Sequence, residues 1–227
     1  MGTTRGKRYK ADAAGLPDGK VPPAEAIKVL KAFGGGKFDQ TVELVMHMGI
    51  DPRQGEQALR GSISLPHGIG VKRKVIAFCQ DEDVEKAEKA GAIEAGSDEL
   101  IKKIQDGWTD FDVAVAVPEM MKSVSRLGRI LGPQGKMPSP KSGTVSKDIA
   151  GAVTEYVDGK VEYRNDDGGN LHVSVGKMSF DDKRLSENID TFIRHVKKIK
   201  PPSTKGMYVK KVCLSGTMTP SVELAVQ

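Results

Sequence analysis

Val75-Ile76-Ala77-Phe78-Cys79 is an unbroken apolar run. A strand with one wet face alternates polar and apolar residues. A strand that is apolar throughout is buried on both faces, as in a parallel sheet covered by helices. Downstream, the spacing predicts a charged helix over 84–90 that stops at Gly91. A second helix follows over 98–105, with Leu100, Ile101 and Ile104 inward and Ser97 as its N-cap. A second buried strand over 111–117 precedes a third helix from about Glu119 and a Gly/Pro-rich loop from Gly128 to Gly143. A helix over 149–157, capped by Ser146 or Asp148, completes the segment. Strands that alternate with helices define an α/β unit.

Upstream the pattern is of another kind. After a basic arm, Pro22-Pro23 opens a helix over 24–32, with Ile27, Leu30 and the Lys31 stem inward, which Gly34-Gly35-Gly36 ends. From Thr41 to Ile50, the residues Val42, Leu44, Met46, Met48 and Ile50 alternate with a mostly polar set. This is a strand with one solvated face. Gly61 to Leu65 repeats the alternation, and Pro66-His67-Gly68-Ile69-Gly70 reads as a joint. The one-sided pattern returns after Lys160. Val161–Arg164 and Leu171–Val175 flank Asn165-Asp166-Asp167-Gly168-Gly169, a hairpin signal. An amphipathic helix over 181–196 carries Leu185, Ile189, Phe192, Ile193 and Val196 on one stripe, and strands over 207–215 and 221–226 close the chain. The two ends resemble each other and the middle does not. The expected fold is therefore mixed α/β and α+β in two domains: a discontinuous α+β domain over 1–68 and 160–227 with an antiparallel sheet, interrupted at 69–159 by an inserted Rossmann-like α/β domain.

A content of 38% hydrophobic and 29% charged residues suits a soluble globular chain. No apolar run reaches the roughly 18 residues of a membrane span, and the first twenty residues have no apolar core of a secretory signal. Gly2 lacks the Ser or Thr at position 6 that N-myristoylation requires, since Gly6 stands there. Cys79 and Cys213 are too few for a disulfide framework or a zinc site and lie in apolar runs, as small core residues do. These features suit a cytoplasmic protein without membrane contact.

The net charge of +5 conceals an asymmetry. Residues 81–119 hold twelve acids and four bases, which leaves the rest of the chain at +13. Residues 120–147 and 191–222 contain no acid, and a basic surface of this kind suits a polyanion. Nucleotide-cradle motifs fail. Against the Walker pattern, Gly135-Lys136 would need glycine at Ile130 and a hydroxyl at Met137, and Gly36-Lys37 would need them at Lys31 and Phe38. No G-x-G-x-x-G follows the Val75–Cys79 strand, and no cofactor is expected. His47, His67, His172 and His195 have no partner at metal-ligand spacing, and no serine has a base placed beside it by sequence, so neither a metal nor a catalytic residue is expected. The rival class, a nucleotide-dependent enzyme, would need one of these failed motifs to be real. A protein-only interaction module would leave the acid-free runs without a role. Phe38, at the mouth of the 41–50 strand between Lys37 and the polar row of Thr41 and Glu43, has two readings: a cap on the core, or an exposed ring on which a base stacks.

Arg126-Leu127-Gly128-Arg129-Ile130-Leu131-Gly132-Pro133-Gln134-Gly135-Lys136-Met137-Pro138-Ser139-Pro140-Lys141-Ser142-Gly143-Thr144-Val145 resembles the signature of the large-subunit ribosomal protein L-one family. So do Gly49-Ile50-Asp51-Pro52-Arg53, Leu59-Arg60-Gly61, Leu65-Pro66-His67-Gly68, Asp106-Gly107-Trp108, Val161-Glu162-Tyr163-Arg164-Asn165-Asp166 and Thr217-Met218-Thr219-Pro220-Ser221, in family order along nearly the whole chain. The resemblance implies a non-enzymatic component of the large ribosomal subunit, monomeric when free. Its terminal domain would bind 23S rRNA to form a mobile stalk near the exit site, assist release of E-site tRNA, and repress translation by binding its own operon mRNA. The RNA-binding residues it implies are Lys37, Phe38, Thr41, Glu43, Arg53, Arg60, Arg164, Thr217, Met218 and Thr219. On the inserted domain it points Arg126, Arg129, Lys136 and Lys141 towards tRNA or rRNA. Thr219 departs from the family pattern, which usually has glycine there.

Overall fold

The computed structural model describes residues 6–34 and 36–226, so Gly2 and Gly35 lie outside the described residues. The chain divides into two compact units, one running to Gly70 and resuming at Tyr163, the other spanning Val71–Glu162. The first unit opens with α1 (Lys7–Ala14) and α2 (Pro23–Ala32), then β1 (Thr41–Met48) and β2 (Arg60–Ile63). The second holds β3 (Val75–Phe78), α3 (Asp81–Lys89), β4 (Glu94–Gly96), α4 (Asp98–Gln105), β5 (Val113–Ala116), α5 (Met121–Val124), α6 (Gly128–Leu131) and α7 (Ile149–Val157). The chain returns along β6 (Val161–Arg164) to β7 (Asn170–Lys177), α8 (Asp182–Lys198), β8 (Val209–Gly216) and β9 (Val222–Glu223).

In the first unit an antiparallel sheet has the order β7-β1-β8-β9. Val42, Leu44, Met46 and Met48 of β1 are buried, and α2 and α8 pack against the sheet. The stripe of α8 is buried as its spacing requires: Leu185, Ile189, Phe192, Ile193 and Val196 are all inside. Its last turn carries His195, Lys197 and Lys198, which favours the negative end of the helix dipole. The Lys31 stem on α2 is only partly buried. Its ammonium reaches Asp182 at 2.6 Å and the Phe180 carbonyl. Strand β1 stops at Met48 rather than Ile50 because Gly49 passes against β8's approach. Its N–H donates to the Tyr208 carbonyl at 2.7 Å, and a Cβ there would lie 2.1 Å from the Met207 carbonyl oxygen. The basic arm contains α1, which buries no residue and therefore shows no apolar periodicity in sequence.

The hairpin expected at 165–169 does not form a two-stranded ladder. The turn exists, with the Asp166 N–H donating to the Asn170 carbonyl at 2.9 Å, but pairing ends after the Asn165–Leu171 bridge. β6 instead pairs with β2, and β7 with β1. Val161 and Tyr163 bury the inward face of β6. Asn165 locks it to the other strand: its N–H donates to Leu59 O at 3.0 Å and its Oδ1 accepts from Leu59 N at 2.8 Å.

In the second unit a parallel sheet has the order β4-β3-β5. Alternate residues of the opening apolar run enter two different cores. Val75, Ala77 and Cys79 pack with Ala87 of α3 and Ile149, Val153 and Tyr156 of α7. Ile76 and Phe78 pack with Leu100, Ile101 and Ile104 of α4 and with Val124, Leu127 and Leu131. Helix α3 starts at Asp81, earlier than the apolar spacing suggests, because Asp81, Glu82 and Asp83 occupy its first turn and Lys86 and Lys89 its last. Ser97 stands at the N-cap of α4 but makes no capping bond, whereas Asp148 caps α7 by accepting from Gly151 N at 3.1 Å. β4 has no apolar signature of its own and exists through its pairing with β3. The Gly/Pro-rich segment is helical at its start, over Gly128–Leu131, because Leu127 and Leu131 sit one turn apart and are both buried. Cys79 is a core residue as expected, while Cys213 is only partly buried.

Candidate nucleic-acid interface

The face of the four-stranded sheet opposite α2 and α8 is built from the polar positions of β1, β7 and β8. The antiparallel register sets them in rows: Thr41 beside Lys177, Glu43 between Ser174 and Ser215, Val45 between His172 and Cys213, and His47 between Asn170 and Lys211. A register shift between Val42 and Glu43 marks a bulge at the head of the face, where strands twist most.

That head is cross-braced. Thr217 Oγ1 accepts from the Thr41 N–H at 3.2 Å, and Lys177 Nζ donates to Thr41 Oγ1 at 2.8 Å. Buried Gln40 accepts at Oε1 from the Met218 N–H at 2.9 Å, and its carbonyl accepts from the Met178 N–H at 2.9 Å. Asp39 accepts from the N–H and hydroxyl of Ser179 at 3.1 and 2.7 Å. Around this braced rim the apolar side chains point out: Phe38 is 54% exposed and Met218 51%. Phe38 is therefore not a buried cap on the core. Lys37, Glu43 and Thr217 are exposed as well.

Thr219 differs from its neighbours. It is 8% exposed, and its Oγ1 accepts from the Gly216 N–H at 2.8 Å. Its backbone has ordinary negative φ, so a threonine is accommodated where the family usually has glycine. Its hydroxyl locks the turn that presents Thr217 and Met218. Arg53, Arg60 and Arg164 are exposed but stand apart from the rim. They lie beyond the Met48 end of β1, whose eight residues span about 25 Å. The Leu59–Asn165 bonds set Arg60 and Arg164 on neighbouring strands.

In the second unit Arg126, Arg129 and Lys141 are exposed. Lys136 is not an open surface cation. Its ammonium donates to the Thr109 carbonyl at 2.9 Å and lies 5.1 Å from the centre of the Phe111 ring. The same segment is held by Ser139 N donating to Thr144 Oγ1 at 2.8 Å and by Tyr156 OH donating to the Ser142 carbonyl at 2.7 Å. Sequence alone does not distinguish Gln40, Lys177, Ser174 and Ser215 as members of this face. The last three become visible as one surface only through strand register. Gln40 gives no signal, since a buried glutamine next to a strand reads as an ordinary exposed one.

At the far end of the face, Asp166 accepts from Asn170 Nδ2 at 3.0 Å, Asn170 N at 2.7 Å and Gly168 N at 2.9 Å, with His172 at 3.4 Å. The Asn170 side chain, then its N–H, lowers this carboxyl from 3.8 to about 2. Because the folded value lies below the unfolded one, the turn's stabilisation is complete above pH 3.8 and is lost as pH falls through about 2. A carboxyl-detected NMR titration is expected to place the Asp166 midpoint near 2, and Asn170→Ala should move it upward. A midpoint in the ordinary range would contradict the turn's hydrogen bonding.

Among the described residues there is no cluster of three metal-ligating side chains, and no helix is long and apolar enough to cross a membrane. The chain belongs to the Ribosomal protein L1p/L10e family, whose profile matches residues 30–220. It is 52% identical over 221 residues to the large ribosomal subunit protein uL1 of Rhodopirellula baltica, covering 97% of this chain and 98% of the relative. With the uL1 protein of Kosmotoga olearia it shares 51% identity over 200 residues, 88% of this chain and 87% of that protein. With that of a Nocardioides species it shares 46% over 221 residues, 97% and 92% of the two chains.

Proposed function

We propose that this chain is a constituent of the large ribosomal subunit that grips a structured stalk of 23S rRNA with the braced rim of its first unit. The observation that carries this reading is the rim itself: Phe38 and Met218, each about half exposed, flank the Thr41–Thr217 hydrogen bond on a stiff sheet. Folded RNA is recognised through shape, ribose hydroxyls, phosphates and splayed bases. An exposed ring takes a base. Glu43, between Ser174 and Ser215, accepts from a 2′-hydroxyl or a guanine edge. The acid-free segment 191–222 supplies phosphate attraction.

In this reading residues 1–68 with 160–227 form the RNA-binding domain, and 69–159 form the inserted domain that meets E-site tRNA through Arg126, Arg129 and Lys141. A rigid rim that recognises one RNA shape also takes another RNA presenting it, so the protein represses its own operon mRNA when rRNA is saturated. It acts by binding rather than catalysis and is a monomer when free.

The test is a filter-binding salt titration with an isolated stalk fragment. Arg126→Ala combined with Arg129→Ala is expected to change affinity by less than about twofold, under about 0.5 kcal/mol, and to leave the salt slope unchanged. In intact ribosomes the same variant should slow movement of deacylated tRNA. If it flattens the fragment's salt slope, the assignment of rRNA binding to the first unit is wrong.

A further inference from the structure

Helix α1, which follows no apolar pattern, is held beside the rim. The Gly34 N–H donates to Asp12 Oδ1 at 3.1 Å. The Arg8 stem lies against Gly34 so closely that a Cβ there would sit 3.3 Å from it. Gly34 lies in the connection that carries Lys37 and Phe38 to β1, so α1 and the rim share a support. Between them is a cleft of about 430 Å³, lined by Gly6, Lys7, Arg8 and Tyr9 on one wall and by Thr217, Met218 and Thr219 on the other. That volume lies within the range of small-ligand sites. Its chemistry is divided: two cations on the α1 wall, with no acid in the helix's first turn, and the exposed Met218 thioether opposite.

We propose that this cleft holds one nucleotide of the bound RNA, with its backbone phosphate on Lys7 and Arg8 and its base or ribose against Met218, so that α1 is a second wall of the RNA interface. This rests on the reading of the rim as an rRNA-binding surface and extends its footprint to a segment that the sequence presents only as a basic arm. A phosphate meets Arg in forked geometry and Lys as a point charge, and an apolar side chain facing them suits the less polar part of the same nucleotide. The cleft is continuous with the rim through Thr217 and Met218, which line it.

The test uses the full chain, the stalk rRNA fragment, and an unrelated RNA duplex as control. Lys7→Ala with Arg8→Ala is expected to weaken stalk binding about tenfold, to lower the magnitude of the salt slope by at most about 1, the share of one phosphate, and to leave the melting temperature in place, because α1 buries no residue. Binding of the unrelated duplex should change less than about threefold, the share of a general charge effect. Lys7→Ala alone, which spares the Arg8–Gly34 contact, should give about half the change in slope. Unchanged stalk affinity in both variants, with Phe38→Ala still disruptive, overturns the cleft and leaves the rim standing. Equal losses for stalk and unrelated duplex also overturn it. Failure of the unaltered chain to bind the stalk fragment overturns both.

Discussion

Phe38→Ala is expected to weaken binding of the rRNA stalk fragment by roughly 1–3 kcal/mol, about five- to 150-fold, while the melting temperature moves by less than about 2 °C. The separation follows from where the ring lies. It is 54% exposed and rests over Gly36, where a Cβ would come within 3.1 Å of it. Truncation therefore opens no cavity, and the usual cost of removing an aromatic side chain from a core does not apply. What is lost is the platform for a base. Phe38→Tyr, which keeps the π-face, should bind nearly as the unaltered chain does. A fall in melting temperature with undiminished RNA affinity would make Phe38 a packing residue and contradict the interface.

The largest effect on stability is expected at Asn188. Its side chain is fully buried on α8 among the apolar stripe. It donates to Gly68 O at 3.0 Å and Val175 O at 2.8 Å and accepts from His67 N at 3.2 Å. It thus ties the helix to β7 and to the segment just before the chain leaves the first unit at Gly70. Asn188→Leu keeps the number and branching of the side-chain heavy atoms and strands these partners. Leaving the buried Val175 carbonyl unpaired costs about 1–3 kcal/mol, and the part-buried Gly68 and His67 groups add less because water reaches them. With some relaxation, a total loss of about 2–4 kcal/mol is expected. Urea unfolding should show the midpoint fall with an unchanged slope, and the protein that remains folded should bind RNA normally. A loss below about 0.5 kcal/mol, the range of surface substitutions, would contradict the buried Asn188–Val175 bond.

The elements that sequence reveals are those whose burial is periodic. The 75–79 run, the alternation in β1 and the stripe of α8 each record which faces are covered. Elements stabilised by charge or by a neighbour leave no such record. Helix α1 buries nothing, and β4 reads Glu-Ala-Gly yet forms because β3 offers an edge. The 165–169 turn shows how local chemistry can be read correctly and its consequence missed. Asp166 organises the turn as its residues require, but β6 pairs with β2, and Tyr163 is buried against Phe192 and His195 of α8.

The candidate interface was legible to the same limited degree. Its outward row on β1 follows from alternation, and its exposed aromatic could be located but not oriented. Lys136 and Thr219 carry the residue types of a nucleic-acid contact while their polar groups serve the protein's own loops. No spacing rule separates such residues from Lys37 and Thr217. The difference lies in three-dimensional partners that sequence does not display.

The most direct measurement is ultraviolet crosslinking of the protein to RNA in cells, with mass spectrometry of the modified peptides and sequencing of the attached RNA. RNA adducts are expected on peptides containing Phe38 and Met218, with reads concentrated in one helix–loop region of large-subunit rRNA and a minor peak in the operon's own mRNA. Adducts confined to residues 126–141, or reads spread evenly over cellular RNA, would contradict the assignment of rRNA recognition to the braced rim.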